Sequence, residues 1–345
     1  MNYKKNVATV YSVARHAGVS PSTVSRVLSG SEYPVSELAR QRVYASASIL
    51  GYNTGATLKN INRNIAAVVI PNLVNPFYAT LIMGLEYSLR LAGMSMLLMN
   101  SAGNLDLEKN FVSEIIQKKI PGAIFSPVGD EFEHLKELSK HNIRLLVIEE
   151  SIDLDCSIVV LNHHNGSFRA IEYLVSRGCQ TIGFISSPLT KFSRREVYSG
   201  YLAGLAHCGI KKEDRYIRIA ESEIRTLGNM TEVYEYQNGM QSAQSLIDAN
   251  TLPDALLCAN DITAFGVMQC FHKNNIKIPE DISIIGFDNT PHSEMTYPRL
   301  TTVGQGAYEM GSMSAEILNG IINDANRSNT NVTLEIGLTI RDSVI

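Results

Sequence analysis

Four polar side chains stand at the ends of short apolar runs. Glu149 closes RLLVIE (144–149), Asn162 follows SIVVL (157–161), Asp261 follows ALLCAN (255–260) and Asp288 follows ISIIGF (282–287). Carboxylates and an amide grouped in this way can accept or share hydrogen bonds from several hydroxyls of one small ligand. Phe77 and Tyr78 open the helical pattern after an earlier run of the same kind, IAAVVI (65–70), and aromatic rings cover the apolar face of a sugar. Taken singly, each acid fits a helix cap or turn former equally well. Together they fit a binding site.

Catalysis has no comparable support. The chain holds no G-x-G-x-x-G, no phosphate-binding loop, no G-x-S-x-G and no H-E-x-x-H. The pair His163-His164 does not make a metal site, because adjacent residues do not share a face and no spaced Cys or His completes a ligand set; it reads as a solvated loop pair. No catalytic residue, metal or cofactor is therefore assigned. The five cysteines (156, 179, 208, 258, 270) are odd in number and without a CxxC pair, as expected of a chain kept in a reducing cytoplasm. No apolar run reaches the roughly 18 residues that cross a bilayer, and no export signal opens the chain.

The elements that must position the polar residues follow a simple alternation. A first series of apolar runs comprises 65–70, 94–99, 122–126, 144–149 and 157–161, and a second 181–186, 255–259 and 282–287, with helical patterns between them such as FYATLIMGLEYSLRLAG and NGSFRAIEYLVSRG. Strands and helices that alternate at this spacing form parallel sheets with crossover helices. Two series imply two doubly wound lobes, and in such sheets ligands sit at the carboxyl ends of the strands, where the four polar residues stand.

The first 52 residues are different. Residues 1–63 carry eight Lys/Arg against Glu32 and Glu37, although the whole chain has a net charge of −4. A basic head on an acidic body implies that the head meets a polyanion. Within it, Val10, Val13, Ala14 and Ala17 recur at helical spacing, and Gly18 can end that helix with φ > 0. Ser20 then reads as an N-cap and Pro21 as the first residue of a second helix, whose inward stripe is Val24, Val27 and Leu28. Ser22 and Arg26 share an outward face of hydrogen-bonding side chains, which suits base edges in a major groove. The spacing predicts a helix-turn-helix with Pro21–Leu28 as the recognition helix and a third helix over SELARQRVYASASIL.

The stretch from Thr9 to Tyr52, above all AGVSPSTVSRVL and ILGY, resembles the DNA-binding headpiece of the lac repressor/galactose repressor family. The resemblance extends through VVIPNLVNPFYATLIMGLE, LPDALLCANDITAFGVM, IPEDISIIGFDN, LTTVGQGAYEMG and IRDSV, which look like the type I periplasmic-binding-protein body of that family. It implies that Pro21, Ser22 and Arg26 read bases and that Thr23 and Ser25 contact phosphates. It also implies a hinge over 53–64 that wedges Ile61 into the minor groove, with departures from the family pattern at Thr54 and Leu58. Glu149, Asn162, Asp261, Asp288, Phe77 and Tyr78 match family effector positions, and Tyr234 matches an aromatic one. The family's effector arginine falls on Val197 here, with Arg194 and Arg195 close by but offset.

The expected architecture is α/β: an N-terminal helix-turn-helix headpiece (1–52), a hinge (53–64) and a two-lobed body (65–345). The first lobe is expected over 65–161 and 291–323 and the second over 162–290 and 324–345, with the chain crossing near 162, 290 and 323. The expected function is that of a cytoplasmic, homodimeric regulator, a repressor, which binds palindromic double-stranded operator DNA under the control of a carbohydrate between the lobes. The alternative is a solute-binding protein of the same fold, which the basic head and the missing export signal disfavour.

Overall fold

The computed structural model describes residues 8–28, 33–50, 52, 64–221, 234–304, 306–324 and 326–345. Two compact units divide the chain, one of Met1–Ile65 with Lys118–Pro121 and one of Ala66–Gln117 with Gly122–Ile345. The hinge residues 53–63, Ile61 among them, lie outside the described residues.

In the first unit, α1 (Val10–Ala17), α2 (Pro21–Leu28) and α3 (Glu37–Ile49) surround a small apolar core. Val13, Ala14 and Ala17 meet Val24, Val27 and Leu28, and Val43 and Ala47 of α3 close the cluster. Thr9 and Ser12 form a reciprocal capping box at the start of α1. Gly18 ends the helix at φ 67°, ψ 37°, and Val19 then packs against the core. The residue Ser20 accepts the Thr23 N–H at 3.1 Å and so starts α2.

The second unit holds two six-stranded sheets. Its elements begin with β1 (Ile65–Ile70), α4 (Pro76–Leu91), β2 (Ser95–Asn100), α5 (Leu105–Lys118), β3 (Gly122–Phe125), α6 (Lys136–Lys140), β4 (Arg144–Ile148) and β5 (Ser157–Leu161). There follow α7 (His163–Ser176), β6 (Ile182–Ser186), α8 (Phe192–His207), β7 (Ile217–Ile219), α9 (Tyr234–Asp248), β8 (Ala255–Cys258), α10 (Asp261–Lys273) and β9 (Ser283–Phe287). The chain ends with β10 (Thr301–Val303), α11 (Ala307–Asn323), β11 (Asn331–Leu334) and β12 (Leu338–Thr339). The first sheet has the order β11-β5-β4-β3-β1-β2 and the second β12-β10-β9-β8-β6-β7. Pairing is parallel from β1 through β3, β4 and β5 to β11, and from β7 through β6, β8 and β9 to β10; β12 runs antiparallel to β10. Central strands such as β3, β6, β8 and β9 are buried along their whole length, as parallel strands covered on both faces must be.

The path between the sheets differs from the sequence expectation. The chain does cross after Leu161, but it does not leave the second sheet near 290. It turns through a short 3-10 helix, Pro291–Glu294, and returns as β10 alongside β9. The second crossing lies between Val303 and Ala307, at Gly304, whose φ of 115° and whose close approach to the Asp288 backbone exclude a side chain. The third lies between Leu334 and Leu338, because β11 belongs to the first sheet. Residues 301–303 therefore leave the expected first lobe, and 331–334 leave the expected second. β10 has three residues and β11 is a half-exposed edge strand, so neither shows as an apolar run.

The helices of the first lobe pack closely. A Cβ on Gly84 would lie 2.1 Å from the Tyr308 carbonyl oxygen and one on Gly311 2.2 Å from that of Leu81, so α4 and α11 cross with their backbones in contact. Among the described residues, no helix is long and apolar enough to cross a membrane.

Candidate functional site

Two sites emerge, one in each unit. On α2, Pro21, Ser22, Ser25 and Arg26 are exposed, Thr23 is half-buried, and Val24, Val27 and Leu28 are turned into the core. The Ser20 hydroxyl lies 2.8 Å from both the Ser22 and the Thr23 hydroxyls, which fixes the polar start of the helix. The Arg26 guanidinium stacks over the exposed ring of Tyr33, 4.1 Å from its centre. Arg15 and His16 at the end of α1 are also exposed, and neither α1 nor α2 has an acid in its first turn. This face is cationic and rich in hydrogen-bonding groups, with small residues that allow close approach, as a helix entering a major groove requires.

The second site is a pocket between the two sheets of the body. The first lobe lines it with Asn72, Asn75, Phe77, Tyr78, Ser126, Glu149 and Glu150, and the second with His163, Lys191, Ser193, Arg194, Val197, Glu235, Asn260, Phe287 and Asp288. Strand ends and helix starts place these groups. Asn75 caps α4 by accepting the Phe77 N–H at 2.9 Å, which holds both aromatic residues at the rim. Phe77 and Tyr78 stand edge to face, and the Tyr78 hydroxyl lies 3.1 Å from that of Ser126. Glu149, at φ 60°, and Asp288, at φ 108°, occupy left-handed backbone that side chains seldom adopt, and such strain collects at binding sites. Burial first, and then the carboxylates of Asp261, Glu149 and Glu235, push the Asp288 carboxyl well above the ordinary range, against the pull of Arg194.

Of the residues expected to bind an effector, Phe77, Tyr78, Glu149, Arg194 and Asp288 line this pocket. Four others stand elsewhere. Asn162 caps α7 by accepting the Asn165 N–H and donates to Glu335 at 2.8 Å. Asp261 is fully buried beneath the 288–290 loop, where it accepts the Thr290 N–H at 2.7 Å and the Thr290 and Thr302 hydroxyls at 3.0 and 2.5 Å. These two are the cap and turn formers that strand-end residues can equally be, and Asn260, one position before Asp261, reaches the pocket instead. Arg195 points to Glu150 and the Thr190 carbonyl, and Tyr234 begins α9 off the pocket wall.

Several pocket residues carried no signal in the sequence. His163 is not part of a solvated loop pair: it is buried at the first turn of α7, 5.5 Å from the Phe287 ring, with Nε2 3.3 Å from Glu149. Glu235 pairs with Arg194 at 3.2 Å, both buried. Arg194 lies one helical turn before Val197, the position expected to hold an arginine. Glu150, adjacent to Glu149, had no feature that set it apart.

Residues 9–54 match the family model described as bacterial regulatory proteins, lacI family, and residues 171–344 match the periplasmic binding protein-like domain. Catabolite control protein A of Priestia megaterium is 30% identical over 341 residues, which cover 97% of this chain and 98% of that protein. The chain belongs to the lacI family of bacterial regulatory proteins. This lacI-family member is also 30% identical, over 89% of its length and 88% of the relative's, to the transcriptional repressor CytR of Escherichia coli K12. Its fold is that of the lac repressor dimer bound to operator (TM-score 0.78, 22% identity, 98% of this chain and 99% of that one). It is equally that of a lacI-family regulator from Silicibacter pomeroyi (TM-score 0.80, 23% identity, 97% and 99%). The regulator is a DNA-binding transcription factor, and its helical head is the part that its family uses on DNA.

Proposed function

We propose that this regulator is a homodimeric repressor that binds a palindromic operator through α2 and is switched by a carbohydrate in the interlobe pocket. The carrying observation is that aromatic residues of one lobe and charged residues of the other wall the same pocket. A ligand there touches both lobes, so it favours one lobe arrangement over another and changes the spacing of the heads, a coupling typically of about 1–3 kcal/mol. Arg26 and Ser22 read base edges, Pro21 makes apolar contact, and Thr23 and Ser25 hold phosphates. Ile61 supplies the minor-groove wedge, so Ile61→Ala costs operator affinity and leaves the melting of the body unchanged.

Relatives by fold support the ligand class: a CelR regulator is known as a cellobiose complex, and a lacI-family regulator from Enterococcus faecium with bound ribose. Exposed large apolar side chains on both lobes support the dimer. Met83, Tyr87 and Leu91 lie four residues apart along α4, and Met295 and Tyr297 stand out from the second lobe, Tyr297 fully exposed.

Selection of duplexes from a random pool, followed by anisotropy titration with and without a sugar panel, tests the proposal. A selected palindrome bound at two chains per site, and a sugar that changes its affinity, are expected. Equal affinity for selected and random DNA at the same salt would refute operator reading, and sugar binding that leaves DNA affinity unchanged would favour a solute-binding role.

A further inference from the structure

We infer that the carbohydrate bound in this pocket carries a protonated amine seated against Asp288, so that the regulator's ligand is an amino sugar rather than a neutral one. The inference rests on the carbohydrate reading above and narrows it.

The pocket's charges are unevenly matched. Glu235 pairs with Arg194 at 3.2 Å and Glu150 with Arg195 at 3.3 Å, and Glu149 has a hydrogen-bond partner in the His163 ring at 3.3 Å. Among the described residues, no side chain hydrogen-bonds or pairs with the Asp288 carboxylate. The groups that act on it electrostatically are Asp261 of α10, Glu149 at the end of β4 and Glu235 of α9, all acidic, with Arg194 as the counterweight. Lys191 does not fill this role: it stands by the Tyr78 ring, 6.0 Å from its centre.

Asp288 is also held in place. Its own N–H donates to Val303 at 2.7 Å, the Asn289 N–H to the Thr302 hydroxyl at 3.2 Å, the Thr290 N–H to Asp261, and Arg341 donates to the Asn289 side chain at 2.8 Å. These four bonds fix the backbone from which the carboxylate projects.

A neutral hydroxyl brings one donor and no charge, so Asp288 would remain an uncompensated anion among acids or would take up a proton. An ammonium brings three donors and the missing charge, and its charge-assisted bonds are the stronger ones. Phe77, Tyr78 and Phe287 supply the apolar wall for a sugar ring.

The test is calorimetric titration of the full chain with matched pairs: glucosamine against glucose, galactosamine against galactose, and N-acetylglucosamine as the uncharged amide. At least one amine should bind about tenfold or more tightly than its parent, a difference of one charge-assisted bond, and acetylation should remove the gain. Asp288→Asn should abolish the preference, and Glu149→Gln should reduce it. Circular dichroism and the thermal midpoint of the body report that both variants are folded. Parents that bind as tightly as amines, or an amine preference that survives Asp288→Asn, would overturn the inference and leave a sugar-controlled regulator standing. Failure of every sugar, charged or neutral, to bind a chain that still recognises operator would overturn both.

Discussion

The Glu150 carboxylate caps a helix of the opposite lobe. Glu150 follows β4 in the first lobe and is buried; one of its oxygens accepts the Phe192 N–H at 3.2 Å, and the other lies 3.3 Å from Arg195. Lys191, the residue before α8, makes no side-chain cap, so the helix takes its anionic cap from across the cleft. Burial raises the Glu150 carboxyl, while the Phe192 N–H and Arg195 act in the opposite sense. Glu150→Ala removes a tie between lobes together with a helix cap, a loss typically of about 1 kcal/mol. The amides of 192–195 should exchange faster in the variant, and the midpoint of thermal unfolding should fall. Unchanged exchange at these amides would show that the contact does not hold the lobes.

Arg26 stacked on Tyr33 suggests a test of how the base-reading side chain is prepared. Arg26→Ala should weaken specific binding by about 1–3 kcal/mol if the guanidinium makes a bidentate base contact, with a smaller loss on random DNA. Tyr33→Ala should cost less, about 0.5–1 kcal/mol, because it removes only the stacking that limits where the guanidinium can go. Equal losses on operator and random DNA for Arg26→Ala would make Arg26 a phosphate contact.

The buried Asp261 sets a pH dependence of stability. Burial pushes its carboxyl from 3.8 up to about 7, opposed by the Thr302 hydroxyl, the Thr290 N–H and hydroxyl and Arg341. The folded chain therefore keeps this proton at a higher pH than the unfolded chain does. Between about pH 4 and 7 the native state binds more protons, so this group's contribution to stability is lost as pH rises through that window. Asp261→Asn cannot titrate. The difference in melting midpoint between wild type and Asp261→Asn should shift against the wild type from pH 4.5 to 7.5. A constant difference would mean that the three donors keep Asp261 ionised throughout.

Much of this molecule was legible because its signals are local and repeated. Gly18 between two apolar stripes, Ser20 before Pro21 and the alternation of buried strands with amphipathic helices each follow from backbone geometry and burial. Polar positions were harder. A strand-end carboxylate reads the same whether it faces the cleft, as Asp288 does, or anchors a loop beneath it, as Asp261 does; only the parallel pairing of β10 with β9 brings Thr302 over Asp261. Glu150 and Glu235 acquire their roles from residues 45 and 41 positions away, separations that no sequence period encodes.

Asn162 and Glu335 offer the last test. Asn162 lies in the first crossing and Glu335 in the third, and the Asn162 amide donates to one Glu335 oxygen at 2.8 Å while the Asn165 amide donates to the other at 3.0 Å. These two donors lower the Glu335 carboxyl. Lobes that move against each other must bend at the crossings, so a bond between two of them biases the motion. Asn162→Asp separates this role from capping. An aspartate oxygen still accepts the Asn165 N–H and caps α7, but the donor to Glu335 is replaced by a second carboxylate that repels it. Helical content and ligand affinity should stay close to wild type, while the ratio of operator affinities with and without ligand should change several-fold. Adding Glu335→Gln to Asn162→Asp restores a donor opposite the carboxylate and should bring the ratio back. A ratio that is the same in wild type and Asn162→Asp would leave Asn162 as a helix cap with no part in the switch.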